Sequence, residues 1–64
     1  NEEAGAVWLQ RVLDVYPKAV WLNPQPEDRW DYYESIRMTK QLMGDRMFPL
    51  TLAGLEGAMR ELTR

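Results

Sequence analysis

The sequence predicts an α/β fold in the order helix, strand, helix, strand, helix, with two short parallel strands. The first observation is an apolar run at 19–22, Ala-Val-Trp-Leu, which ends at an asparagine and two prolines, as a strand covered on both faces would. The second is the helical spacing of apolar residues on either side of this run. The third is the separation of about twenty residues between the strands, which suits a right-handed parallel crossover and no hairpin.

The composition excludes several classes of function. The 64 residues make one domain at most, and a chain this short buries only about 60% of its unfolded surface. Cysteine and histidine are absent, which removes disulfides, zinc-thiolate sites and the commonest general base. A net charge of −2, no basic cluster and no Gly-rich phosphate loop argue against nucleic acid, anionic membranes and nucleotides as partners. No apolar run approaches the roughly 18 residues of a membrane span, so we expect a soluble cytoplasmic protein.

The first helix is predicted to run from Asn1 to Tyr16. Asn1 is placed to cap it, and Glu2 and Glu3 suit the positive end of the helix dipole. Pro17 disfavours helical geometry at the preceding residue and so ends the helix. Two adjacent apolar rows predict packing against both a sheet and a neighbouring helix. These rows are Ala4, Trp8, Val12, Val15 and Ala6, Leu9, Leu13, Tyr16.

The first strand leads into a loop at 23–33. Trp21 on the strand is predicted to lie in the core, as is Trp8 on the first helix. Asn23 is expected to satisfy backbone groups in the turn that follows. The loop leaves the carboxyl end of the strand, the edge where open α/β sheets place their ligands. Its aromatic residues are therefore candidate partner-binding residues, although such aromatics more often fold back over a sheet end. They are Trp30, Tyr32 and Tyr33.

The second helix is predicted from about Asp31 to Met43. Asp31 and Glu34 have the spacing of a capping box, and Ser35 is a competing cap. Gly44 supplies a left-handed stop. The apolar face of this helix is narrower than that of the first, so one side is expected to be in water.

A second strand and a third helix complete the chain. Pro49 cannot donate to a ladder, so the strand at 46–50 is an edge strand or ends at that residue. Thr51 is a good cap for the helix. Gly54 and Gly57 cost roughly 1 kcal/mol each relative to alanine, so close contact with a neighbouring element is the expected compensation. The apolar row of this helix is Leu52, Leu55, Met59 and Leu62.

The only concentration of carboxylates lies at the predicted ligand edge. Oxygen ligands of this kind can form a divalent-cation site, but caps and helix-dipole partners are the favoured interpretation. Nothing fixes two of them across a pocket, so we predict no catalytic, cofactor-binding or metal residue and no enzymatic activity. These residues are Glu27, Asp28, Asp31 and Glu34.

Four stretches of the chain together carry a recognisable pattern. They are Val20-Trp21-Leu22-Asn23-Pro24, the loop aromatics Trp30, Tyr32 and Tyr33, the run Gly44 to Thr51, and Leu52-x-x-Leu55-x-x-Ala58-Met59. The most specific parts are the Trp-Leu-Asn-Pro strand exit and the Phe-Pro-Leu-Thr start of the last helix. With these stretches, nearly the whole chain resembles the carboxyl-terminal part of CoxE-like von Willebrand factor A (VWA) domain proteins.

The resemblance implies a fragment of a Rossmann-like VWA fold, with residues 1–64 as its carboxyl-terminal portion. Such domains hold Mg²⁺ on an Asp-x-Ser-x-Ser loop, a separate Thr and a separate Asp. This chain lacks that motif, since its one serine, Ser35, follows Asp31 by four positions. The metal-binding portion is thus expected upstream of Asn1, which would be a boundary inside a longer protein, and no cofactor is expected in this chain. The resemblance implies an adaptor that works with a MoxR-type AAA+ ATPase in assembly or maturation of other proteins.

A second hypothesis comes from the short sheet. Two parallel strands are not stable alone, so the chain is alternatively a self-associating α/β module whose dimerisation completes its core. Apolar faces left uncovered favour pairing. A homodimer or larger assembly is therefore expected for the isolated chain.

Overall fold

The computed structural model describes residues 2–64, with side chains described from Ala4 onward. It confirms the predicted order of three helices and two short parallel strands. The longest helix has 14 residues, and no helix in this part of the chain is long and apolar enough to cross a membrane. The elements are α1 (Glu2–Val15), β1 (Trp21–Asn23), a 3₁₀ helix (Glu27–Tyr32), α2 (Glu34–Met43), a 3₁₀ turn (Gly44–Arg46), β2 (Met47–Pro49) and α3 (Leu52–Leu62).

The two strands pair in parallel, as predicted from the length of the connection between them. Trp21 lies opposite Met47, and the register ends with Asn23 opposite Pro49. Beyond the ladder, the Leu50 backbone N–H donates to the Asn23 carbonyl at 3.0 Å. Within residues 2–64 the sheet has no third strand. Both of its outer edges are therefore unpaired in this part of the chain.

The core lies between the sheet and the first two helices. Met47 of β2 packs in one buried cluster with Leu9 and Leu13 of α1 and Met43 of α2. The next residue on the strand, Phe48, lies under α3 instead. Because neighbouring strand residues point to opposite faces of a sheet, α1 and α2 cover one face and α3 covers the other.

Helix α3 packs on the sheet through its small residues, as predicted. A Cβ atom on Gly54 would overlap the carbonyl oxygen of Pro49, and one on Gly57 would lie 2.9 Å from Cε1 of Phe48. The predicted cap is also confirmed, because the Gly54 N–H donates to Oγ1 of Thr51 at 3.0 Å. Such a cap stabilises a helix by about 1 kcal/mol. Glycine is thus required here by the close approach of the helix to the β2 backbone.

The predicted start of α2 is wrong. The helix begins at Glu34, with Tyr33 as its N-cap residue and no side-chain cap, so neither the capping box at Asp31 nor the cap at Ser35 forms. Asp31 lies inside the 3₁₀ helix, so its backbone does not have the extended conformation of a capping residue. The predicted stop is confirmed by a φ of 59° at Gly44, although its ψ of −126° lies outside the left-handed helical region.

The core position predicted for Trp8 is also wrong, because 63% of this residue is exposed. Only one of the two apolar rows of α1 is covered, the row that contains Leu9 and Leu13. Trp21 packs against the core cluster as a partly buried residue, in line with its prediction. A stripe as wide as that of α1 needs a further neighbour, which the described residues do not supply. The predicted roles of Asn1, Glu2 and Glu3 lie outside the described side chains.

Candidate protein-interaction surface

The loop after β1 is held at its start by two hydrogen bonds. Oδ1 of Asn23 accepts from the Gln25 N–H at 3.0 Å, which is the local role predicted for this asparagine. Nε1 of Trp30 donates to the Gln25 carbonyl at 2.9 Å. Asn23 is 5% exposed and Trp30 is 3% exposed. The loop is therefore anchored to the core and presents a defined surface.

The three candidate partner-binding aromatics lie in different environments. Trp30 belongs to the core cluster, so it folds back over the sheet end and is not available as a surface anchor. Tyr32 is 75% exposed and Tyr33 is also exposed. The backbone at this point is held because the Arg37 guanidinium donates to the Asp31 carbonyl and the Arg37 N–H donates to the Tyr33 carbonyl. Tyr32 and Tyr33 thus form a small aromatic surface on a fixed backbone.

The four carboxylates of this region are all exposed. No three carboxylates among the described residues come together as a group that could hold a metal ion. Glu34 lies in the first turn of α2, and two more lie in the first turn of the 3₁₀ helix, where carboxylates suit the helix dipole. Those two are Glu27 and Asp28.

An uncovered apolar feature of the chain is the outer row of α3, which we call the outer α3 row. Its members are exposed although their spacing is typical of a packed helix face, and the most exposed of them, Leu52, is 80% accessible. The small residues Gly54 and Ala58 are the buried ones on this helix. The outer α3 row is Leu52, Leu55, Met59 and Leu62.

A hollow of about 520 Å³ adjoins this row at Leu62. It lies between the end of α3 and the end of α1, where Val15 and Tyr16 are exposed. The lining is almost entirely apolar, and Lys18 is the one charged residue in it. The outer α3 row and this hollow thus share Leu62 and form a continuous apolar surface.

A second groove, of about 410 Å³, runs between α1 and α2. Trp8 and Leu9 line it from α1, Met38 and Leu42 line it from α2, and Trp21 of β1 also reaches it. Of the uncovered row of α1, Trp8 is the member that lines this groove. Water therefore reaches apolar side chains between these two helices, which is unusual for a finished core.

The arrangement brings together apolar and aromatic groups suited to macromolecular contact, and its polar groups serve the fold. The outer α3 row was not predicted to be a surface. The spacing of the small residues does indicate that this row is exposed. Gly54 and Ala58 lie on a different face of the helix from the leucines, and a helix that packs through small residues turns its large residues away from the contact. Comparison of the chain with protein-family models, curated proteins and solved structures gives no match.

Proposed function

We propose that this chain is the carboxyl-terminal segment of a CoxE-like VWA domain protein and acts as a non-catalytic adaptor in assembly or maturation of other proteins. Its partner is a MoxR-type AAA+ ATPase, its location is cytoplasmic, and Mg²⁺ is held by loops upstream of Asn1. The observation that supports this most directly is a two-stranded parallel sheet with helices on both faces. Parallel sheets occur almost only as larger, doubly covered sheets, so this unit suits one end of such a domain.

The contact proposed for the ATPase is the aromatic surface of Tyr32 and Tyr33. Both side chains are exposed, and they lie in the segment that follows the carboxyl end of β1. Segments that leave this end of the strands carry the ligand contacts of open α/β domains. Tyrosine combines a large contact area with a low ordering cost, and it is enriched among residues that dominate binding energy. Burial of Trp30 beneath the loop holds this surface in place.

The parent gene gives the first test of the VWA assignment. We expect the codons upstream of Asn1 to encode an Asp-x-Ser-x-Ser motif that directly follows a short apolar strand, because Mg²⁺ requires clustered oxygen ligands at a strand exit. Sequencing of the gene and its flanks measures this. A start codon immediately before Asn1, or an upstream region without the motif, would contradict the assignment.

Binding to the ATPase is the second test. We expect the chain to bind a purified MoxR-type ATPase from its own organism, and the double change Tyr32→Ala and Tyr33→Ala to weaken that binding at least tenfold, about 1.4 kcal/mol or more. Isothermal titration calorimetry measures both affinities. Val7→Ala is the matched control, since Val7 is also exposed and apolar but lies on α1. Equal affinities for the double variant and the control would exclude the aromatic surface of Tyr32 and Tyr33 as the contact with the ATPase.

A second candidate function is self-association, in which a dimer completes the core. Eleven large apolar residues are exposed among the described side chains, and they include members of both the outer α3 row and the uncovered row of α1. An apolar surface of this extent is characteristic of interfaces rather than of free monomers. This candidate does not exclude the first, because an adaptor can act as a dimer.

A further inference from the structure

We propose that the outer α3 row is a homodimer contact, in which the α3 helices of two copies pair antiparallel about a two-fold axis between Leu55 and Met59. This inference rests on the second candidate function and names the face, the occupant and the direction of pairing. The occupant is a second copy of the same chain. Four properties of the chain support it: the exposed area, the spacing of the row, the hollow beside Leu62 and the charges beside the row.

The exposed area of the chain matches the requirement of a dimer. Its accessible surface is 4949 Å². A compact monomer of 7.6 kDa is expected to expose about 4,300 Å². The excess of about 650 Å² approaches the roughly 800 Å² that each partner buries in a standard protein interface. Formation of one such contact would therefore lower the accessible surface area of the chain to about that of an ordinary folded protein of its mass.

The spacing of the row suits an antiparallel pair. Its steps of three, four and three residues read the same in both directions along the helix. An antiparallel neighbour therefore places Leu55 against Met59 of the partner subunit, and Leu62 against Leu52 of the partner subunit. Both contacts occur twice because the axis repeats them. The same steps are those of a coiled-coil seam, which holds two helices in close contact.

The hollow beside Leu62 gives the second copy a place for its most exposed side chain. In the antiparallel pair, Leu52 of the partner subunit arrives at the level of Leu62, which borders the apolar space lined by Val15 and Tyr16. Leu52 is the most exposed large apolar residue among the described side chains. The pair thus matches a projecting side chain with an unfilled apolar hollow, and it does so at both ends.

The charges beside the row favour the antiparallel direction. Glu56 and Arg60 lie on one flank, four residues apart, and both are exposed. In the described part of the chain neither forms an ion pair, since the pair found on this helix joins Arg64 to Glu61. Antiparallel helices meet flank to like flank, which brings Glu56 of each copy beside Arg60 of the partner subunit. Parallel helices would set Glu56 and Arg60 against the flank of Ala58 and Glu61, where Glu61 already pairs with Arg64.

The first part of the experiment measures dimerisation of the 64-residue chain by analytical ultracentrifugation from about 1 µM to about 1 mM. We expect a reversible monomer–dimer equilibrium. Met59→Lys is expected to weaken it at least about 100-fold, because symmetry places a lysine in each of the two Leu55–Met59 contacts. Lysine is a good helix former, and Met59 is exposed, so the monomer keeps its fold. Gln41→Lys adds the same charge on the exposed side of α2 and is expected to leave the dissociation constant unchanged.

The second part tests the direction of pairing by charge exchange. Glu56→Arg and Arg60→Glu are each expected to weaken the homodimer about tenfold, because every reversal occurs twice. An equimolar mixture of these two variants is expected to form a heterodimer at the original affinity, since opposite charges then meet at both positions. The variant that carries both changes is expected to recover the homodimer. Circular dichroism of each monomer separates loss of pairing from loss of fold.

The outcomes that overturn the inference are distinct. If Met59→Lys does not weaken the dimer, the contact lies on another face of the chain. Self-association would then be retained, and the proposed α3–α3 contact would be excluded. A Met59-dependent dimer with no heterodimer in the mixture would exclude antiparallel pairing. A folded monomer at every concentration would exclude both this inference and self-association.

Discussion

Gly54→Ala is expected to abolish the folded state of the isolated chain or to lower its free energy of unfolding by about 3 kcal/mol or more. Overpacking a core typically costs about 1 to 3 kcal/mol, and more when the obstacle cannot move. Here the obstacle is the carbonyl oxygen of Pro49, which belongs to the backbone. A domain of this size has a total stability of about 3 to 10 kcal/mol. Urea unfolding followed by far-UV circular dichroism measures the loss.

The chain offers two matched controls for this change. Gly5→Ala meets no atom within 4 Å in the first turn of α1, and it is expected to raise stability by about 0.5 kcal/mol. Gly57→Ala faces the ring edge of Phe48, which can move, so its effect is expected to lie between the other two. All variants are compared at one protein concentration, because dimerisation would add stability. Equal stability of Gly54→Ala and Gly5→Ala would show that α3 does not dock as described.

Trp30→Ala is expected to lower the free energy of unfolding by about 3 to 5 kcal/mol, the usual cost of removing a buried tryptophan side chain. The side chain contributes to the core and also donates a hydrogen bond to the Gln25 carbonyl. Trp30→Phe retains most of the apolar volume but not the donor. It is expected to cost about 1 kcal/mol, since the hydrogen bond to the Gln25 carbonyl, which is partly buried, is lost. Urea unfolding in the stabilised Gly5→Ala background keeps both variants measurable.

Trp8→Ala is the control for the loss of an indole. Trp8 is largely exposed, so the change is expected to stay within about 0.5 kcal/mol of the parent. Helical circular dichroism, rather than fluorescence, follows unfolding because each change removes a tryptophan. A loss at Trp8 as large as that at Trp30 would mean that the groove between α1 and α2 closes around Trp8 in solution.

Trp30 connects the fold to the proposed function. Its burial holds the 3₁₀ helix against the core, and the exposed tyrosines lie at and just beyond the end of that helix. A partner that uses Tyr32 and Tyr33 therefore depends on a residue it does not touch. Of the three loop aromatics, Trp30 is structural, and Tyr32 and Tyr33 are surface residues. Substitutions at the two tyrosines therefore test partner binding, and substitutions at Trp30 test the fold.

Much of the fold follows from effects that act within a few residues. The apolar run ends at Asn23 and Pro24 because these residues favour turns, and β1 ends there. Thr51 caps α3, and Gly44 ends α2 with a positive φ. The parallel pairing also follows from the sequence, since a connection of that length suits a crossover. These features depend on backbone sterics and local hydrogen bonds, which neighbouring residues determine.

Only the tertiary structure decided which apolar rows are covered. Periodicity defines a face of a helix, but it does not say what lies against that face. Leu9 is therefore buried while Trp8 next to it is exposed, and α3 turns Gly54 rather than Leu52 towards the sheet. The capping box predicted at Asp31 was lost for the same reason, since the 3₁₀ helix that buries Trp30 takes up that residue. Local sequence set the elements, and long-range packing set the surface on which the proposed functions depend.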